Sequence, residues 1–382
     1  MGHFALWNLG FRPFYLLASV FSVASVLLWV AQLSGLLDNA YLQGPLWHGH
    51  EMLFGYTLAV VAGFLLTAVR AWTGEPTPTG VPLMALAALW VAGRVLVLTP
   101  FGGLAAAVNA AFPAALAVAI ALPLWRAGNA RNYFFVGLLL LMAGLVATLH
   151  LAMLGMVSLP PRAGLVLGLD VMLFIMAVIG GRVIPMFTNN GVPGAGATRH
   201  LWLERLALAS VLVLFVADLL QPGTAVIAAV ALVATLAHGL RLLLWRSWRT
   251  LSTPLVWILH AGYAWIVVYL GLRVLAAAGW VAETHAFHAL TVGAIGGLTL
   301  GMMTRTARGH TARPLRADGF ELCCFLLIQI VALVRVFVPM VFPAAYLAGI
   351  QISGLLWAAA FGIYAVRYWP ILSRPRLDGK PG

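Results

Sequence analysis

The sequence predicts an all-α integral membrane protein of about twelve spanning helices. Three observations lead there. Of its 382 residues 63% are apolar and only 8% charged, whereas a soluble globular domain carries about a quarter charged residues. The mean hydropathy is +1.00. The apolar residues also fall into successive windows of about twenty, the length that crosses roughly 30 Å of hydrocarbon.

In order, the predicted spans are 14–36, 47–70, 81–98, 103–125, 132–157, 163–188, 201–220, 223–245, 254–278, 284–306, 319–340 and 343–367. The first follows MGHFALWNLGFRPF, which lacks the lysine-rich start and cleavage site of a signal peptide, so that span is retained. The second opens after Pro45, a suitable first-turn residue, and begins with His48, His50 and Glu51. Arg94 closes the third span in RVLVLTP, His150 lies towards the end of the fifth, and Asp170 lies early in the sixth. Gln221-Pro222-Gly223 separates the seventh and eighth by a turn. His260 stands in HAGYAW of the ninth, His285 and His288 open the tenth, and Arg335 sits in RVFVP of the eleventh. Cys323 and Cys324 are adjacent, which suits neither a disulfide nor a CxxC motif, and they read as small apolar fillers. No soluble domain interrupts the pattern, and SRPRLDGKPG ends it as a frayed basic tail. Residues 1–382 form one polytopic domain.

Arginine and lysine gather in alternate loops, with Arg162 standing on the opposite side. The positive-inside rule then places both termini in the cytoplasm of a cell inner membrane. The formal charge of +12 reads as topology and contact with anionic lipid, not as nucleic-acid binding.

A repeat runs through the spans. His50, Gly55 and Gly63 match His288, Gly293 and Gly301 in a His-x4-Gly-x7-Gly pattern. A weaker third copy aligns Asp170 with His50, and Arg94 and Arg335 are related by a similar shift. The offsets suggest three four-helix repeats over 14–125, 132–245 and 254–367, in a pseudo-threefold bundle. Abundant glycine, which lets membrane helices approach closely, explains part of the pattern.

Ionisable side chains within hydrocarbon are costly and mark cavities or partners. His48 and Glu51 share a helical face, as do His285 and His288, while His48 and His50 point to opposite sides. His50 and His288 can therefore face each other as axial ligands of a haem, with His48 and His285 left for a second role. A four-ligand zinc site fits less well. Copper suits His48, His285, or the series His150, Met153 and Met156. Arg94, Arg273 and Arg335 lie at the depth where haem propionates would project, unless they snorkel to the interface or, for one of them, pair with Asp218. His238 and His260, nearer the cytoplasm, suit a second haem, a proton path or interface anchoring.

At these residues the chain resembles the NnrS family. The matching stretches are FRPFYLL, WHGHEMLFG, AGFLLTAVRAWTG, RVIPMFT, LHAGYAW, HALTVGAIGGLTLGMMTR and RGHTARP, between residue 11 and about residue 314. The resemblance implies twelve helices, haem (b-type), copper, and a role in tolerating or converting nitric oxide. The architecture is also similar to catalytic subunits of haem-copper oxidases and nitric oxide reductases, a fold-level analogy limited by Asp170, which stands where a copper histidine would be. The leading expectation is a membrane oxidoreductase acting on nitric oxide, with Glu51 as proton donor beside the metal and an electron donor that the sequence does not name. An ion or small-anion transporter with an outer His48, His50, Glu51 and Asp170 vestibule, and a haem-based sensor without turnover, are the alternatives.

Overall fold

Backbone polar groups in hydrocarbon must be satisfied within the segment, so an apolar chain of this kind folds as helices. The computed structural model describes residues 4–37 and 41–380, and no strand occurs among them. The first three residues of the N-terminal stretch and the last two of the basic tail lie outside the described residues.

The principal helices are α1 (Phe11–Leu33), α2 (Gly44–Thr73), α3 (Gly80–Leu96), α4 (Gly102–Arg126), α5 (Phe134–Met153) and α6 (Pro161–Gly191), followed by α7 (Leu201–Leu220), α8 (Thr224–Leu244), α9 (Pro254–Ala277), α10 (Glu283–His310), α11 (Gly319–Val341) and α12 (Tyr346–Ser373). Among the described residues ten helical segments are long and apolar enough to cross a membrane. The chain is thus a multi-pass, all-α membrane protein. The segments outside that set are α3, apolar but of 17 residues, and α7, which carries Glu204, Arg205 and Asp218. Large apolar side chains such as Leu212, Val216 and Leu219 on α7 are exposed, as a lipid-facing surface requires.

The turn expected at Gln221-Pro222-Gly223 is present, with Gln221 in the left-handed region at φ 50° and Gly223 at φ 113°. The first helix starts at Phe11 rather than at residue 14. Pro13 is compatible with a first helical turn, and Arg12 is fully buried because it is needed inside. Its Nη1 donates to the Leu372 carbonyl at 2.8 Å and the Arg374 carbonyl at 2.7 Å. A guanidinium thereby satisfies carbonyls that the end of α12 leaves unbonded.

The chain divides into two compact units. The first comprises the described residues of Met1–Gly168, Thr306–Pro314 and Phe361–Gly382; the second comprises Leu169–Arg305 and Leu315–Ala360. In the first, Gly63 of α2 admits the Tyr15 ring, which a Cβ there would meet at 2.8 Å. In the second, Arg241 of α8 is buried and binds Glu204 by Nε at 3.2 Å and Nη2 at 2.8 Å, while its Nη1 donates to Tyr263 Oη at 2.7 Å. His238 completes that network, with Nδ1 2.7 Å from Tyr263 Oη and Nε2 3.1 Å from the Ala207 carbonyl.

Two helices depart from regular α geometry. In α2 the segment Glu51–Thr57, and in α10 the segment Ala289–Gly296, widen into π-helical turns. Each begins on the residue after a repeat histidine, His50 or His288. The third copy, around Asp170, lies in the uninterrupted α-helix α6. Such turns occur frequently at functional sites.

Candidate metal centre

The π turn of α2 sets the geometry. In a regular helix adjacent residues do not face one another, but a wider turn narrows the angle between them. His50 Nδ1 accordingly stands 2.7 Å from Glu51 Oε1. A regular helix would have put Glu51 with His48; instead His48 stacks on Trp29, with ring centroids 5.0 Å apart and 14° between planes. His50 and Glu51 are 0% and 1% exposed.

Glu51 Oε1 also accepts from Arg94 Nη1 of α3 at 2.6 Å. The other arm of Arg94 donates to Asn109 Oδ1 of α4, and its guanidinium lies 5.8 Å from the centroids of both Phe21 and Trp90. Asn109 is itself held by donating to the Ala105 carbonyl at 2.8 Å. Gly55 makes this possible, since a Cβ there would come within 2.7 Å of Arg94 Nη1 and of the Phe21 ring. Its carbonyl accepts from Trp90 Nε1 at 3.0 Å.

On the other side, His50 Nε2 is 3.1 Å from His150 Nε2 of α5. The rings meet edge-on, with centroids 4.9 Å apart. His150 Nδ1 is 3.1 Å from Tyr41 Oη. Tyr41 precedes α2, outside the spanning helices, and burial raises its phenol above the ordinary value, keeping its hydroxyl proton in place.

The row Tyr41, His150, His50, Glu51, Arg94 admits two self-consistent proton arrangements, because a neutral imidazole carries one N–H and one bare nitrogen. In the first, Tyr41 donates to His150, His150 Nε2–H to His50, and His50 Nδ1–H to Glu51, giving a continuous proton chain. In the second, His150 Nδ1–H donates to the Tyr41 oxygen, and both Nε2 lone pairs converge. A separation of 3.1 Å suits two nitrogens on one ion with bonds of about 2.0–2.1 Å. The far nitrogen of each ring is anchored, as the outer partners of metal-ligating histidines are, and a two-imidazole donor set fits copper. A porphyrin on His50 Nε2 would require the His150 ring to swing away. Among the described residues no group of three or more His, Cys, Asp or Glu is placed to hold a metal, so the pair would leave coordination positions open.

His288 belongs to the second unit, with Nδ1 2.6 Å from the Thr284 carbonyl; His285 is partly exposed. Arg273 is bonded to Asp218, the partner anticipated for one of the arginines, and Arg335 lies over the Tyr346 ring at 5.8 Å. His260 Nε2 is 2.7 Å from Thr188 Oγ1. Met156, third of the His150 series, is exposed. Sequence reasoning missed the His50–His150 pairing, Asn109 and Tyr41. Asn109 carried a signal, as a lone amide within the apolar run GGLAAAVNAAFPAALAV; Tyr41 carried none.

The family model described as NnrS protein matches residues 5–376. The chain belongs to the NnrS family. Comparison with curated proteins returns no match. Within this NnrS chain, FRPFYLL supplies the Arg12 cap of α12, WHGHEMLFG supplies His50, Glu51 and the first π turn, and HALTVGAIGG supplies His288 and the second.

Proposed function

We propose that this NnrS protein is a metal-binding oxidoreductase of nitric oxide metabolism in the inner membrane. His50 and His150 hold the metal, copper, in a protein of twelve spanning helices with both termini cytoplasmic. The observation that carries this reading is the convergence of two buried Nε2 atoms, each on a ring anchored at its other nitrogen, at 3.1 Å. Bound copper would supply one-electron exchange with nitric oxide. The protein's own residues do the rest. Glu51 accepts the Nδ1–H of His50 and fixes which nitrogen stays bare; Arg94 holds the Glu51 charge in place inside a desolvated site. Reduction of nitric oxide consumes protons, and Glu51, hydrogen-bonded to His50, is placed to hold and pass one. Nitric oxide is apolar and arrives through lipid, so no large pocket is required. Electrons come from a donor outside this chain.

Haem is the second reading, favoured by one observation: His288 occupies in α10 the position that His50 occupies in α2, immediately before a π turn. Metal analysis, copper electron paramagnetic resonance and pyridine haemochrome spectra on wild type, His50→Ala, His150→Ala and His288→Ala separate the two. The copper reading expects a single copper site that vanishes in His50→Ala and His150→Ala and survives in His288→Ala. Wild-type protein that takes up no copper, or uptake indifferent to both substitutions, refutes it. A haem band lost in His288→Ala and kept in His150→Ala selects haem.

A further inference from the structure

The second unit holds a buried acid that the metal reading does not use. Asp170, on α6, is 1% exposed, and neither of its oxygens has a hydrogen-bond partner. The carboxyl it interacts with is that of Asp218, near the end of α7. Arg273 of α9 grips Asp218 with both arms, Nη2 to Oδ1 at 2.6 Å and Nη1 to Oδ2 at 2.9 Å. Arg273 Nη1 also donates to Tyr269 Oη at 3.1 Å, and its Nε stands 4.0 Å from Glu283 Oε1 at the start of α10.

Three carboxyls therefore face one guanidinium. Arg273 neutralises Asp218, and Glu283, with its side chain 40% exposed, is solvated; Asp170 has neither remedy. Two ionised carboxyls are acceptors only, so they meet without a bond between them. An unpaired buried carboxylate is costly, and a second negative charge beside Asp218 adds repulsion. One proton removes both penalties. It turns Asp170 into a donor towards Asp218 and leaves Asp170, Asp218 and Arg273 with no net charge.

We propose that Asp170 and Asp218 share one proton and form a proton-binding site inside the second unit, with Arg273 fixing Asp218 as the acceptor and Glu283 exchanging the proton with water. The inference uses none of the residues of the candidate metal centre and stands or falls without it.

Infrared difference spectra of the protein in lipid, in H2O and D2O at neutral pH, test it. Wild type should show a protonated-carboxyl C=O band that shifts on deuteration. Asp170→Asn should lose that band while keeping its fold, because the amide still donates to Asp218. Should Asp170→Asn fail to fold, Asp170→Glu keeps an acid on a longer arm and should move the band. Absence of the band in wild type, or a band unchanged in Asp170→Asn and in Asp170→Glu, overturns the proposal. So does a band that emerges only when sodium is removed, which would assign the pair to a metal cation.

Discussion

Glu51 serves two partners with one oxygen, Arg94 at 2.6 Å and His50 at 2.7 Å. Removing its charge leaves a buried guanidinium uncompensated, so Glu51→Gln should destabilise the protein by about 3–5 kcal/mol. It should also weaken copper binding by about 10–100-fold, as loss of an outer partner of a metal-ligating histidine does. Thermal unfolding in detergent and competition with a copper chelator check the two effects; unchanged values would mean that Glu51 is a bystander. Gly55 is fixed by what passes over it. Gly55→Ala gains a little helix propensity but drives a methyl to within 2.7 Å of Arg94 Nη1, and overpacking of this kind costs about 1–3 kcal/mol. A net stabilisation in the same unfolding assay would contradict that close approach. The sequence marked Glu51, His50 and Arg94 as expensive residues in hydrocarbon. It did not show that Arg94 answers to a carboxylate 43 positions away, since that depends on how three helices pack.

At the scale of the helix, the π turn decides which side chains meet. It frees carbonyls, and the protein satisfies them with side chains: Thr57 Oγ1 donates to the Met52 carbonyl at 2.7 Å, five residues back, and Trp90 Nε1 to the Gly55 carbonyl. Thr57→Val should cost about 1 kcal/mol, the net worth of an ordinary hydrogen bond. Trp90→Phe, which strands a buried carbonyl and opens packing, should cost about 1–3 kcal/mol. Hydrogen exchange at the amides of Glu51–Thr57, read by mass spectrometry, should accelerate in both variants; protection equal to wild type would show that these bonds do not hold the turn. The His-x4-Gly spacing was legible in the sequence, and both its glycines prove to be close-approach positions, Gly293 receiving Trp265 as Gly55 receives Arg94. The π geometry was not legible, because a helical wheel drawn at 3.6 residues per turn assumes that the turn does not change.

For the whole molecule, the buried arginines among the described residues find their partners within their own unit. Arg241 answers Glu204 and Arg273 answers Asp218, which explains how α7 carries acidic residues and still suits a membrane environment. Arginine-rich loops are expected on the cytoplasmic side. Alkaline phosphatase fused after Met156 should be active outside the cytoplasm, whereas a fluorescent protein fused after Lys380 should fluoresce within it. The reverse pattern would invert the proposed orientation and carry the candidate metal centre to the other face.

Composition and periodicity by themselves determined the all-helical, membrane-embedded class, the helix-breaking turn at Gln221–Gly223, and the short roster of ionisable residues from which any site had to be built, because hydrocarbon penalises unpaired charge whatever the packing. Only the tertiary structure decided the partners. His50 meets His150, Arg94 and Arg273 are held by carboxylates of the chain itself, and Asp170 is buried with no hydrogen-bond partner. The cost of burying a charge is a property of the residue, but the group that relieves it comes from another helix, and a one-dimensional pattern does not encode which helix arrives.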